Sequence, residues 1–246
     1  FNGAAIDVAL DQGVDADDTT SEISGNVFTN VNEAIAVDAS SELDDGDSVT
    51  ISNNDIQSFS GSNAFALGGL ASGVDLTFEA NDFDGGGSGA TAVSIGTTSE
   101  NVTITDGVIN DTTGSDAISI ANSPAKTNGF VEVTGTEIRN LGSAHDAVAI
   151  STASSDDVIV NDVTVDQSPS AIGVDVSNAN PTVSVTDSLI NNTDIGVDAG
   201  TAGTVTISGT TIDYAQSQAV NIDQPGASAD IAINESTSID QAASDG

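Results

Sequence analysis

Two apolar residues flanking one free position, usually behind a small residue, recur along the chain. They read AIDV (5–8), AIAV (34–37), AFAL (64–67), AVSI (92–95), AISI (117–120) and AVAI (147–150), then AIGV (171–174), DIGV (194–197) and AVNI (219–222). Side chains two apart share one face of a β-strand, so each unit predicts a short strand with one apolar face. A second unit alternates with the first: SEI (21–23), VTI (49–51), LTF (76–78), VTI (102–104), VEV (131–133), VIV (158–160), VSV (183–185), VTI (205–207) and IAI (231–233). Five residues beyond these units stands another large apolar residue: Phe28, Ile56, Phe83, Ile109, Ile138, Val165, Ile190 and Ile212. The last copy slips by one, to Ile239. Turn formers lie between, as in GN (25–26), NN (53–54) and AN (80–81).

Each period of roughly 22–30 residues thus supplies three apolar segments too short to bury themselves. They bury one another if each period makes one coil and coils stack with strands ~4.8 Å apart. The predicted fold is all-β: a right-handed parallel β-helix (solenoid) of about nine coils with three short strands per coil. It forms a single domain over residues 1–246, a rod on the order of 40 Å long. Inward positions form columns such as Ile104, Val133, Val160, Val185 and Ile207. A two-sheet sandwich would require longer strands and hairpin turns.

The order V-x-I, an Asn or Asp turn, an apolar residue five positions on, then A-I-x-V resembles the right-handed parallel β-helix repeats of the pectate-lyase-like superfamily. The resemblance spans nearly the whole chain and implies the coil architecture. It selects no activity, because that superfamily holds polysaccharide lyases, hydrolases, viral tailspikes, adhesins and surface proteins. Its uronate lyases need Ca²⁺-binding carboxylates and a positioned Arg or Lys, whereas this chain offers only Lys126, Arg139 and His145. The repeat puts Lys126 on a different arc from the other two. Polygalacturonase-type hydrolases carry Asn-Thr-Asp, then paired Asp, then Gly-His-Gly and Arg-Ile-Lys. Here NTD (192–194) follows DD (156–157), and the last two motifs are missing.

Charge changes the picture most. Asp and Glu number 38 against 2 Lys and Arg, a formal net charge of −36. Such a chain repels itself in dilute buffer, and concentrated salt screens it. The composition resembles that of proteins from extreme halophiles, haloarchaea and their viruses included. Phosphate contacts have almost no Lys or Arg to make them, which excludes ordinary nucleic-acid binding. No stretch of about 18 apolar residues occurs, so membrane insertion by a helix is not expected. Cysteine is absent and aromatic residues make up 3 %, which removes thiolate chemistry and the usual stacking platforms for sugars.

Candidate chemistry comes from coil phase. The arcs leading into A-I-x-V are longest in four consecutive coils, at 57–63, 84–91, 110–116 and 139–146, and are expected to form one binding surface. It includes Asp84, Asp111, Asp116, Arg139, His145 and Asp146. Asp116 and Asp146 hold the same phase, two residues before Ile118 and Val148, which sets their backbones ~5 Å apart. That spacing suits the two carboxylates of a retaining glycosidase. It suits a shared Ca²⁺ equally. It also suits two aspartates accepting backbone N–H bonds at a turn. Other acidic runs, DADD (15–18), DDGD (44–47) and NDFDGGG (81–87), lack the spacing of calcium loops and read as solvated surface.

Sequons at Asn101, Asn110, Asn191 and Asn234 are compatible with a glycosylated extracellular protein. A threonine column for binding ice is rejected, since Glu132 and Ile159 interrupt Thr50, Thr77, Thr103, Ser184 and Thr206. Phe1 takes the phase of Phe28, and the chain stops shortly after Ile239 in the same phase, so open ends are expected. They fit an excerpt of a longer β-helix or a unit that pairs head to tail.

Together these readings point to a structural or adhesive protein of a halophile, at a cell or virion surface: a filament subunit, an adhesin, or a viral fibre or spike. Its expected partners are copies of itself, neighbouring β-helix segments and surface glycans, with Ca²⁺ as the candidate ion. The alternative is a carbohydrate-active enzyme using Asp116 and Asp146.

Overall fold

The computed structural model describes residues 4–8, 20–39, 47–70, 74–97, 101–121, 129–142, 145–151, 157–177, 182–200, 203–222, 230–234 and 236–240. Lys126, the DADD run and Asp156 lie outside them. Twenty-seven strands, with no helix among the described residues, form three parallel sheets of nine. Successive strands go to the first, second and third sheet in turn, so each coil gives one strand to each. The first sheet is built from the A-I-x-V segments, for example Thr91–Thr97, Ile118–Ala121, Asp146–Ser151, Ser168–Val176, Thr193–Asp198 and Gln218–Asn221. The second holds the V-x-I segments and the third the single apolar residues. This is the parallel β-solenoid that the repeat predicts.

The register follows the sequence columns. Phe78, Ile104, Val133, Val160, Val185 and Ile207 stand one above another in the second sheet. In the third, Phe28 to Ile239 align in one column, including the final copy with its extra residue. The inward side chains make one continuous core in which Phe59 meets Phe83 edge to face, Phe65 tilts against Phe78, and Phe78 stacks on Phe83. Burial of these short segments is therefore wholly an affair between coils, as their length requires.

One alignment differs from the sequence reading. Val148 and Ile150 pair with Val174 and Val176, and Val174 pairs with Val197, which pairs with Val220. The aligned units are thus GVDV (173–176) and GVDA (196–199), two residues beyond AIGV and DIGV. The reason is steric. The small residue of A-I-x-V faces the third-sheet isoleucines: a Cβ on Gly173 would lie 2.6 Å from Ile190 Cγ2, and one on Gly196 2.5 Å from Ile212 Cγ2. Glycine fills the corner that alanine fills elsewhere, as at Ala92, Ala117 and Ala147.

From Gly25 to Tyr214 each coil bends twice through left-handed backbone, with Gly25, Gly85, Gly135 and Gly209 taking four of the positions. Asn53, Ala80, Asp106, Asp162 and Asp187 do so before the third sheet, and Asn30, Ser58, Asp111, Asn140, Gln167, Asn192 and Tyr214 after it. Asn and Asp dominate because their short polar side chains tolerate this conformation best after glycine.

Candidate functional site

The long arcs expected to form one open surface are largely ordered backbone. Strands Asp82–Gly86 and Val108–Thr112 run into them. Beyond the strands, the backbone N–H groups of Gly87, Thr113 and Gly142 donate to Phe59, Gly86 and Thr112 of the coil before. The candidate residues divide accordingly into three places.

Asp84 and Arg139 point outward from the third sheet, in one row with Asn110. Asn110 Nδ2 donates to Asp84 Oδ1 at 2.8 Å, and Asn140 Nδ2 donates to Asn110 Oδ1 at 2.7 Å. Arg139 makes an ion pair with Glu137 at 3.1 Å. Asp111 is a left-handed turn residue and is exposed. Asp116, His145 and Asp146 lie at the start of the first-sheet strands, away from that row.

Asp116 and Asp146 do share a phase, since Ile118 pairs with Val148. The backbone N–H of Asp146 donates to Asp116 Oδ1 at 3.1 Å. The two-residue displacement of the next coils places two further carboxylates in the same sheet, three residues further along the strand than Asp146, which itself pairs with Ile172. Ala149 pairs with Asp175, Asp175 with Asp198, and Asp198 with Asn221. Asn221 Nδ2 donates to Asp198 Oδ1 at 3.2 Å, and Ser177 hydrogen-bonds Asp175. Asp175 and Asp198 escape a reading of the sequence that aligns on AIGV and DIGV. The repeated GVD at 173–175 and 196–198 is the signal that finds them.

Burial pushes the Asp146 carboxyl up to about 7, and the charges of Asp116, Asp175 and Asp198 add to the effect. Asp175 is raised as well, first by burial and then by Asp198 and Asp116, against the opposing hydrogen bond from Ser177. Near neutrality, then, Asp146 holds on to a proton that an isolated aspartate would have lost. Among the described residues no group of three or more His, Asp or Glu side chains is arranged to hold a metal ion.

The sequons fall on unequal ground. Asn110 and Asn191 use their side-chain amides within the rod, the latter donating to Asp166 Oδ1 at 2.8 Å. Their partner hydroxyls, on Thr112 and Thr193, are wholly buried. Asn101 is half-buried and Asn234 exposed. Of the acidic runs, NDFDGGG lies in and around the strand Asp82–Gly86, with Asn81 buried; Asp47, the described member of DDGD, is buried too.

No protein-family model matches the chain, nor does any characterised relative or solved structure.

Proposed function

We propose that the chain is a structural or adhesive rod of an extracellular surface, on a cell or a virion, working in concentrated salt. The observation that carries this reading is the continuous pairing of strands along its three nine-stranded parallel sheets. A strand bonded to its neighbours in the coils before and after cannot bend or slide alone, so the molecule resists force along its axis. Outward side chains reinforce the same direction through Asn and Asp rows such as Asp84–Asn110 and Asp166–Asn191. The ratio of 38 acidic to 2 basic residues supports the high-salt setting and disfavours anionic partners. Within this reading the repeat belongs with the right-handed β-helices of the pectate-lyase-like superfamily. The rod contacts copies of itself, adjoining β-helix segments or surface glycans.

Electron microscopy of the native material, with glycan-array binding and reducing-end release assayed at 2–3 M NaCl, tests the proposal. Rods or fibres without turnover support it, and catalytic turnover overturns it.

A second reading has one observation in its favour. The carboxyl of Asp146, pushed up to about 7 by burial, stands next to that of Asp116, and a retaining glycosidase draws its acid from such a pair. Loss of sugar release in both Asp116→Asn and Asp146→Asn would establish it.

A further inference from the structure

Each sheet has one edge strand in the coil Gln218–Asp240, and no further strand pairs with that edge among the described residues. The inward residues of this coil continue the columns of the core. Val220 follows Val197, Ile231 follows Val205, Ile233 follows Ile207 and Ile239 follows Ile212, and the same register sets Ile222 after Ala199. One coil earlier the columns are closed, with Ala199, Ile207 and Ile212 each 0 % exposed. In the coil Gln218–Asp240, by contrast, Ile222, Ile233 and Ile239 are 48 %, 46 % and 48 % exposed. An apolar face thus stands open beside backbone groups that a further parallel strand would satisfy.

The coil at the other edge of the sheets, Ala4–Thr29, carries the matching shape. Ile6 belongs to the column of Val220. Ile23 belongs to that of Ile233. Phe28 belongs to that of Ile239. We propose that the open face of the Gln218–Asp240 coil takes the Ala4–Thr29 coil of a second copy, a joint that rests on the reading of the chain as a structural rod and names its partner. The columns then run on from one molecule into the next, through the same contact that joins successive coils within each. A contact between two unlike faces does not close on itself, so copies add to copies along one axis.

The outward side chains select a second copy as the occupant. Continued in register, the joint sets Asp230 beside Thr20, Asp240 beside Thr29 and Glu22 beside Ala232. Among the described side chains, then, no acid of the joint meets another acid. Inside the rod such meetings do occur, as at Asp55 and Asp82. Asp230 and Asp240 instead meet hydroxyls, which can donate to a carboxylate. For a chain of net charge −36 this is a favourable match to its own surface. The remaining opposition is repulsion between whole rods, which concentrated salt screens, so the joint strengthens as salt rises.

Disulfide trapping tests the joint, because the chain has no cysteine of its own. One copy carries Thr29→Cys and the other Asp240→Cys, both at exposed positions. Within one molecule these positions lie eight coils apart, roughly 38 Å, and cannot bridge. Across the joint they fall one strand spacing apart, ~4.8 Å, within the reach of a disulfide. Mixed in concentrated NaCl with a glutathione redox buffer, the two copies are expected to form the mixed disulfide. Its yield should exceed that of Asp84→Cys mixed with Asp240→Cys by at least about tenfold, because the joint raises the local concentration of the right pair. Ile233→Asp in the Asp240→Cys copy puts a charge on the apolar face and should remove that excess. No excess over the control, an excess that survives Ile233→Asp, or an equal yield of Asp240→Cys paired with itself overturns the proposal. Fibres that form without the bridge overturn this joint and leave the structural reading standing. The bridge found in a chain that also turns over glycans overturns that reading and leaves the joint.

Discussion

The side-chain amide of Asn54 donates to Asn81 Oδ1 at 2.9 Å, and the backbone N–H of Asn54 donates to the same oxygen at 3.0 Å. Asn26 repeats both bonds one coil earlier, onto Asn54 Oδ1. Both inner asparagines are 1 % exposed, and Asn54 Nδ2 also reaches Ile23 O while Asn81 Nδ2 reaches Ile51 O. The ladder thus satisfies backbone groups at a corner where the chain leaves one sheet for the next and cannot satisfy them itself. Its next position is Gly107, whose Cβ would stand 2.7 Å from Asn81 O, so the asparagine run ends there.

Replacing the middle rung should therefore cost more than one hydrogen bond. Asn54→Ala strands the Asn26 amide, Ile23 O and part of Asn81 Oδ1, and a loss of about 2–4 kcal/mol is expected. Asn26→Ala, at the partly exposed end, should cost about 1 kcal/mol or less. Chemical denaturation of the two variants checks the order. Equal losses would mean that the ladder does not act as a connected unit.

Inside the rod, large and small residues alternate along one column. Phe59 is followed one coil later by Gly86, whose added Cβ would lie 2.8 Å from Phe59 Cζ and 3.1 Å from Thr112 Cγ2. Gly86→Ala is expected to cost about 1–3 kcal/mol through this overlap. Phe59→Leu, which removes the ring atoms in the way, should cost about 1–2 kcal/mol alone through the space it leaves. Combined, they should cost less than the sum, because each relieves the other's defect. A double-mutant cycle by thermal or urea unfolding measures that coupling, and strict additivity would refute the packing account.

Most of the fold is legible in the sequence because the inward positions at the strand centres are apolar, so Ile104, Val133 and Val160 print the coil directly. The displaced coils at 171–176 and 194–199 are harder to read. There an extra apolar residue, Ile172 or Ile195, imitates the pattern, and the true corner is marked only by glycine. The site inherits that difficulty: Asp116 and Asp146 share a phase that spacing alone reveals, whereas Asp175 and Asp198 require the shifted register. The arcs that carry Asp84, Asp111 and Arg139 towards Asp116 are harder to read for another reason. A long stretch between apolar landmarks reads as a loop, yet glycine-rich backbone at Gly87 and Gly142 stacks and bonds like the strands beside it.

The ladder residues also bear on glycosylation. A glycan at Asn191 would replace an amide hydrogen now given to Asp166, beside a hydroxyl on Thr193 that is 0 % exposed. Asn110 is held between Asp84 and Asn140, next to an equally buried Thr112. An enzyme acting on the folded chain is therefore expected to modify Asn234, which is exposed with Ser236 exposed beside it, and to leave Asn110 and Asn191 bare. Glycopeptide mapping of chain folded before exposure to an oligosaccharyltransferase checks this. Sugar on Asn191 would count against the ladder geometry.

Like charges are also stacked coil on coil. Asp55 pairs with Asp82 on the third sheet and Asp175 with Asp198 on the first, at strand spacings of ~4.8 Å. At 0.01 M salt the screening length is about 30 Å, so most of the −36 charge acts on the whole rod. At 1 M it is about 3 Å, shorter than the gap between neighbouring coils, and even paired aspartates are largely screened. The melting midpoint is therefore expected to climb steeply between 0.01 and about 1 M NaCl and more gently beyond. Sucrose leaves charge unscreened and should give no such steep phase. Asp82→Asn together with Asp198→Asn should raise the midpoint at low salt and flatten the climb, because each removes one half of a stacked pair. Circular dichroism melts across the salt series read both effects, and a midpoint independent of salt would show that charge repulsion does not limit this rod.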